Sequence, residues 1–100
     1  MAELIHVKEV GLRDGLQLIK TRLPTSVKKE WLKKQIDAGF KEVEITSMVS
    51  TKWLPQFSDA AEMINFAKQF SRCSSSVLVP NLKGARLAFD AKAQKIIFVV

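Results

Sequence analysis

The sequence is poor in the residues that staple or ligate: one cysteine, one histidine, four glycines and three prolines in 100 residues. A single cysteine, Cys73, builds no disulfide framework and no paired thiolate motif, so a reducing compartment is expected. The single histidine, His6, has no companion at metal-ligand spacing, and its place inside an apolar stretch favours a structural role. No apolar run approaches the roughly 20 residues needed to cross a bilayer, so no membrane partner is expected. The opening, MAELIHVKEV, alternates charge and hydrophobicity instead of building a signal-peptide core. This fits a cytoplasmic protein and leaves an organellar origin open. A complete eightfold βα barrel takes roughly 250 residues, which this length does not supply.

What is present is an ordinary globular composition, 47% hydrophobic and 26% charged. A formal charge of +6 suits an anionic partner, whether nucleic acid, a phosphorylated cofactor or an acidic substrate, and does not choose among them. With no RNA-binding motif in view, no nucleic-acid partner is expected, although charge alone permits a small polyanion-binding module. The closing run, KIIFVV, is strand-like and has no cap or turn after it, which suggests an incomplete domain.

A strand–helix rhythm runs along the chain. Residues 4–10 (LIHVKEV) alternate partly as a strand does, and a glycine-bearing loop, GLRDG, follows. Thr25 or Ser26 is placed to cap a helix reaching about residue 38 and closed by Gly39. Its apolar stripe is Val27, Trp31, Leu32 and Ile36, with Lys28, Lys29, Lys33 and Lys34 largely elsewhere. EVEIT (42–46) is a second strand. Ser58 is placed to cap a second helix, with Ala60, Met63, Ile64, Ala67 and Phe70 as its buried stripe. SVLV (76–79) forms a third strand, Asn81 opens a helix over 82–91, and KIIFVV (95–100) is a fourth strand.

Strands separated by helices argue for an α/β fold of parallel βα units with right-handed crossovers. Physics alone leaves a small open sheet or part of a closed barrel. In either case ligands gather at the carboxyl ends of the strands.

Three clusters fall at those ends. In EVGLRDGLQ (9–17), Arg13 and Asp14 stand side by side between Gly11 and Gly15. A guanidinium can hold a carboxylate or a developing oxyanion, and an aspartate can ligate a divalent cation. A surface ion pair in a turn explains the same residues. In EVEITSMVSTKW (42–53), Glu44 lies deepest in apolar context, where a carboxylate is costly unless paired. Ser47 follows it as a possible donor, or as a simple cap. In VLVPNLKG (77–84), Asn81 could orient a substrate or cap the helix, and Lys83 could meet phosphate or only water. Trp53 lines a pocket or packs over the strand ends. Cys73 has no nearby histidine to activate it as a nucleophile.

These same segments, EVGLRDGLQ, EITSMVSTKWLPQFSDAAEM and VLVPNLKG, resemble the N-terminal part of the hydroxymethylglutaryl-CoA lyases. That family carries an EVGPRDGLQ signature, an ETTSFVSPKWVPQ-type segment and a PNLKG-type loop. The resemblance spans nearly the whole chain. It implies the N-terminal part of a (β/α)8 TIM barrel, about three βα units and a fourth strand, as an incomplete N-terminal half of one pyruvate-carboxyltransferase-like domain over 1–100. It also implies a divalent cation, Mg2+ or Mn2+, and cleavage of 3-hydroxy-3-methylglutaryl-CoA to acetyl-CoA and acetoacetate.

Carried over residue by residue, the resemblance makes Arg13 the group that polarises the thioester carbonyl. Asp14 becomes a metal ligand, Glu44 the acidic residue supporting the arginine and substrate, and Gln17 and Ser47 pocket residues. The family's metal-binding histidine pair, asparagine ligand and catalytic cysteine belong to its C-terminal half, which this segment would need for activity. Three departures stand out: Leu12 replaces the proline before RDG, LQLIK replaces an LQNEK-like run, and Lys92 replaces a glycine. A condensing enzyme of the isopropylmalate or homocitrate synthase type shares the RDG loop and is the nearest alternative.

Overall fold

A computed structural model describes residues 7–19 and 21–98. His6 and the ends of the first and fourth expected strands lie outside these residues.

Four strands form one parallel sheet in the order β1-β2-β3-β4: β1 (Lys8–Glu9), β2 (Glu42–Ser47), β3 (Ser74–Val79) and β4 (Ile96–Phe98). Three helices connect them: α1 (Thr25–Asp37), α2 (Ala60–Ala67) and α3 (Leu82–Asp90). Strands added one after another without reversal are the winding of a barrel. A doubly wound sheet would place a later strand on the far side of the first.

The core lies between the sheet and the helices. Val43, Ile45 and Val77 pack with Leu32 and Ile36 of α1 and with Met63 and Ile64 of α2. Glu42 and Glu44 alternate with Val43 along β2, so they belong to the opposite face of the sheet. A bulge between Glu44 and Thr46 shifts the pairing with β3. A residue beyond it therefore cannot be assigned to a face by counting from Glu44.

Helix ends follow the local chemistry, with two corrections. Asn81 caps α3 as expected, its side-chain oxygen accepting the Gly84 N–H at 2.8 Å. Gly39 closes α1 with φ +100°: its own N–H reaches Ile36 O, and the Phe40 N–H reaches Gln35 O. Neither Thr25 nor Ser26 caps α1, however. Pro24 holds that position, and the Thr25 hydroxyl donates to Asp59 at 2.7 Å. Nor does Ser58 cap α2; it accepts a hydrogen bond from Arg22, and Asp59 precedes the helix.

The α1 stripe is also shifted. Leu32 and Ile36 are buried, but Val27 is 42% exposed while Lys28 is only 3% exposed. Lys28 turns inward because its ammonium finds a carboxylate and a carbonyl there, which offsets the cost of burying it.

At the turn before β4, Lys92 adopts φ +61°. Its N–H bonds Phe89 O and the Ala93 N–H bonds Ala88 O, the pairing that ended α1 at Gly39. A left-handed turn survives with a lysine where glycine is favoured, at a backbone cost of about 1 kcal/mol.

Candidate active site

The first strand exit folds into a single wide helical turn, Gly11–Gly15. The Arg13 and Asp14 N–H groups both reach Val10 O, and the Leu16 N–H reaches Gly11 O. Leu12, at 1% exposure, anchors this turn in the core. The turn expected to loosen with leucine at position 12 is fully hydrogen-bonded. The Glu9 carboxylate accepts the Gly11 N–H at 2.8 Å. A Cβ on Gly11 would stand 2.9 Å from that carboxylate and 3.0 Å from the Trp31 ring, so a side chain there would push the Glu9 carboxylate aside and crowd the ring.

The turn aims Arg13 across the sheet at β2. Arg13 Nε donates to Glu44 Oε1 at 2.5 Å, and Arg13 Nη1 lies 3.3 Å from Asp14 Oδ1. The Glu44 side chain is 4% exposed, and its other oxygen lies 3.8 Å from Lys8 Nζ. A buried carboxylate thus has a cation facing each oxygen, which offsets the cost of burying it. Arg13 Nη2 has no hydrogen-bond partner among the described residues and remains a donor for an anion or a polarised carbonyl.

Asp14 differs from Glu44. Its side chain is 56% exposed, and its carboxylate pairs only with Arg13 among the described residues, so its oxygens are open to a hard cation. No group of three histidine, cysteine, aspartate or glutamate side chains converges anywhere among the described residues. Asp14 fits as one cation ligand, but these residues do not make a complete metal site.

The remaining expected residues are less closely joined. Gln17 lies just beyond the turn with its side-chain oxygen buried and without a partner among the described residues. Ser47 is fully buried at the end of β2, and its hydroxyl likewise has no partner among them. It borders a hollow of about 200 Å³ with Met48, Phe57 and Ala60. Asn81 is occupied as a helix cap, and Lys83 is exposed beside Ser50 and Thr51. Trp53 is 76% exposed. Burial pushes the Cys73 thiol above its ordinary pKa, with the nearby Glu42 charge acting in the same direction, which makes it a poorer nucleophile.

Lys8, Lys28 and Gln56 had drawn no attention as functional residues. Lys8 was hidden because its partner is set by strand register, Lys8 beside Glu42, which no local pattern shows. Lys28 was hidden by the habit of assigning every lysine of an amphipathic helix to water.

No family model matches the chain. Curated relatives do. The mitochondrial hydroxymethylglutaryl-CoA lyase of Arabidopsis thaliana is 40% identical over 94 residues, covering 94% of this chain and 20% of that protein. Among solved structures, the HMG-CoA lyase of Brucella melitensis superposes with a TM-score of 0.89 at 38% identity, over 97% of this chain and 34% of that one. An HMG-CoA lyase from Acinetobacter baumannii, solved in complex with coenzyme A and 3-methylmalate, gives a TM-score of 0.85 at 37% identity, over 97% of this chain and 32% of that one. The chain thus spans about a fifth to a third of the length of the proteins it matches. Its parallel sheet and alternating helices match the N-terminal part of their TIM barrel. Relatives named for the cytoplasm and for the mitochondrion are both represented.

Proposed function

We propose that this chain is the N-terminal part of a hydroxymethylglutaryl-CoA lyase, residues 1–100 contributing the first three βα units and fourth strand of a single barrel. The observation that carries this reading is the Arg13–Glu44 pair. A buried carboxylate orients a guanidinium at the strand ends and leaves one of its nitrogens for substrate. Similarity over nearly the whole chain to lyases, one of them solved with coenzyme A, supplies the substrate class.

In this reading a base removes the proton of the tertiary hydroxyl, and that oxygen forms the ketone of acetoacetate as the C–C bond breaks. The electron pair passes into the enolate of acetyl-CoA, whose carbon is then protonated. Arg13 Nη2 faces the thioester oxygen and stabilises the charge that develops there. Glu44 holds the guanidinium plane through Nε, with Lys8 balancing its second oxygen. Gln17 and Ser47 bring two unsatisfied polar groups that a substrate can complete.

Asp14 would contribute one ligand to a divalent cation, Mg2+ or Mn2+, which would supply Lewis-acid stabilisation of the developing negative charge, and further ligands would be needed. Cleavage therefore requires the rest of the barrel, and residues 1–100 alone are inactive. The substrate is a small acyl-CoA, with neither nucleic acid nor membrane as a partner, and the compartment is the cytoplasm or an organelle, as relatives of both kinds match.

The complete protein should convert hydroxymethylglutaryl-CoA to acetyl-CoA and acetoacetate in a reaction lost on chelation. Product analysis decides. Condensation of acetyl-CoA with a 2-oxo acid, without cleavage, would move the assignment to the synthases.

A further inference from the structure

The segment that follows Arg13 and Asp14 is held from the second loop. Residues 16–19 leave carbonyls behind as the helical turn ends, and such groups need donors when they face the interior. The Gln56 amide supplies them. Its Nε2 lies 3.2 Å from Leu16 O, 3.3 Å from Gln17 O and 3.3 Å from Ile19 O. Two amide hydrogens are thus shared among three acceptors.

Gln56 is itself immobilised. It is 6% exposed, and its backbone carbonyl accepts a hydrogen bond from the buried Lys28 ammonium. Lys28 also reaches both oxygens of Asp59, at 2.9 and 3.0 Å, and Asp59 accepts the Thr25 hydroxyl. An unbroken polar chain therefore runs from α1 through the start of α2 to the first strand exit. A lysine buried to this degree is costly unless paired, and this one spends its hydrogen bonds on fixing a loop residue.

We infer that Gln56 is a positioning residue for the first loop: locked by Lys28 and Asp59, it sets where the Arg13–Asp14 turn sits over the strand ends. Its catalytic meaning rests on the lyase reading, but the mechanical role does not.

Amide hydrogen exchange on the full chain tests it, together with the Arg13 Nε–H resonance that reports pairing with Glu44. Gln56→Met keeps the volume and removes the donors. The expected result is exchange about tenfold faster at Asp14 and Leu16, the loss of roughly one net hydrogen bond. The Arg13 resonance should move towards that of an unpaired guanidinium, while β2 and β3 amides keep their protection. Gln56→Asn, which retains the amide but shortens its reach, is the second variant and should show the same local pattern. Equal loosening of the loop and of β2–β3 in both variants would overturn the proposal, as would unchanged exchange at Asp14 and Leu16. Absence of lyase turnover by the complete protein, with the local pattern intact, would count against the function alone.

Discussion

β2 and β4 are parallel strands of the same sheet, yet they live in different surroundings. β2 has a strand on each side, and every residue from Val43 to Ser47 is buried. β4 pairs only with β3 among the described residues; Ile96 is 46% exposed and Phe98 54% exposed. Beside it, Phe89 is 82% exposed, and Ala85, Ala93 and Ile96 border a groove of about 530 Å³. This groove is larger than the hollow near Ser47, but it contains none of the chemistry. Parallel sheets are normally covered along both faces and continued at their edges. The polar groups of the candidate site cluster at β1 and β2.

The contrast can be broken most forcefully in the core. Ile45→Ala should lower stability by about 2–5 kcal/mol in urea unfolding. In residues 1–100 alone, Ile96→Ala should cost less than about 1 kcal/mol, since about half of that side chain is exposed there. Similar costs at both positions would erase the distinction. A smaller effect is expected at the turn that leads into β4. Lys92→Gly relieves a left-handed lysine and should raise stability by about 1 kcal/mol, read as an upward shift of the thermal midpoint.

The smallest effect concerns Cys73, at the entrance to β3 beside β2. Its folded pKa is raised, so protonation contributes stability below the unfolded pKa, and that contribution is lost as pH rises through the folded value. Alkylation at pH 8 should be slower in the folded chain than in urea and should accelerate with further rise in pH. Equal rates in both states would show that this side of the sheet is open.

Much of this arrangement was legible in the sequence where local chemistry decides it. The glycine at position 39 and the asparagine at 81 each dictate a local geometry and behave as expected, and the apolar spacing of α2 holds for Ala60, Met63, Ile64 and Ala67, while Phe70 lies beyond the helix end and is half-buried. The cost of a carboxylate in an apolar strand told only that Glu44 needs a partner; Arg13 as that partner came from the family resemblance, since it sits on a turn 31 residues away. Lys8 could not be derived, because it arrives through the register of β1 against β2. The inward turn of Lys28 was illegible for a similar reason: its carboxylate arrives on another helix. Ser58 and Thr25 had the right chemistry for caps but found better partners through tertiary packing.

Turnover of hydroxymethylglutaryl-CoA by the complete protein, compared among wild type, Arg13→Gln and Asp14→Ala, tests the central claim most directly. Folding of each variant is checked by circular dichroism. The account predicts a fall in kcat of about a hundredfold or more for each variant with the fold retained. Wild-type turnover in both variants would contradict it.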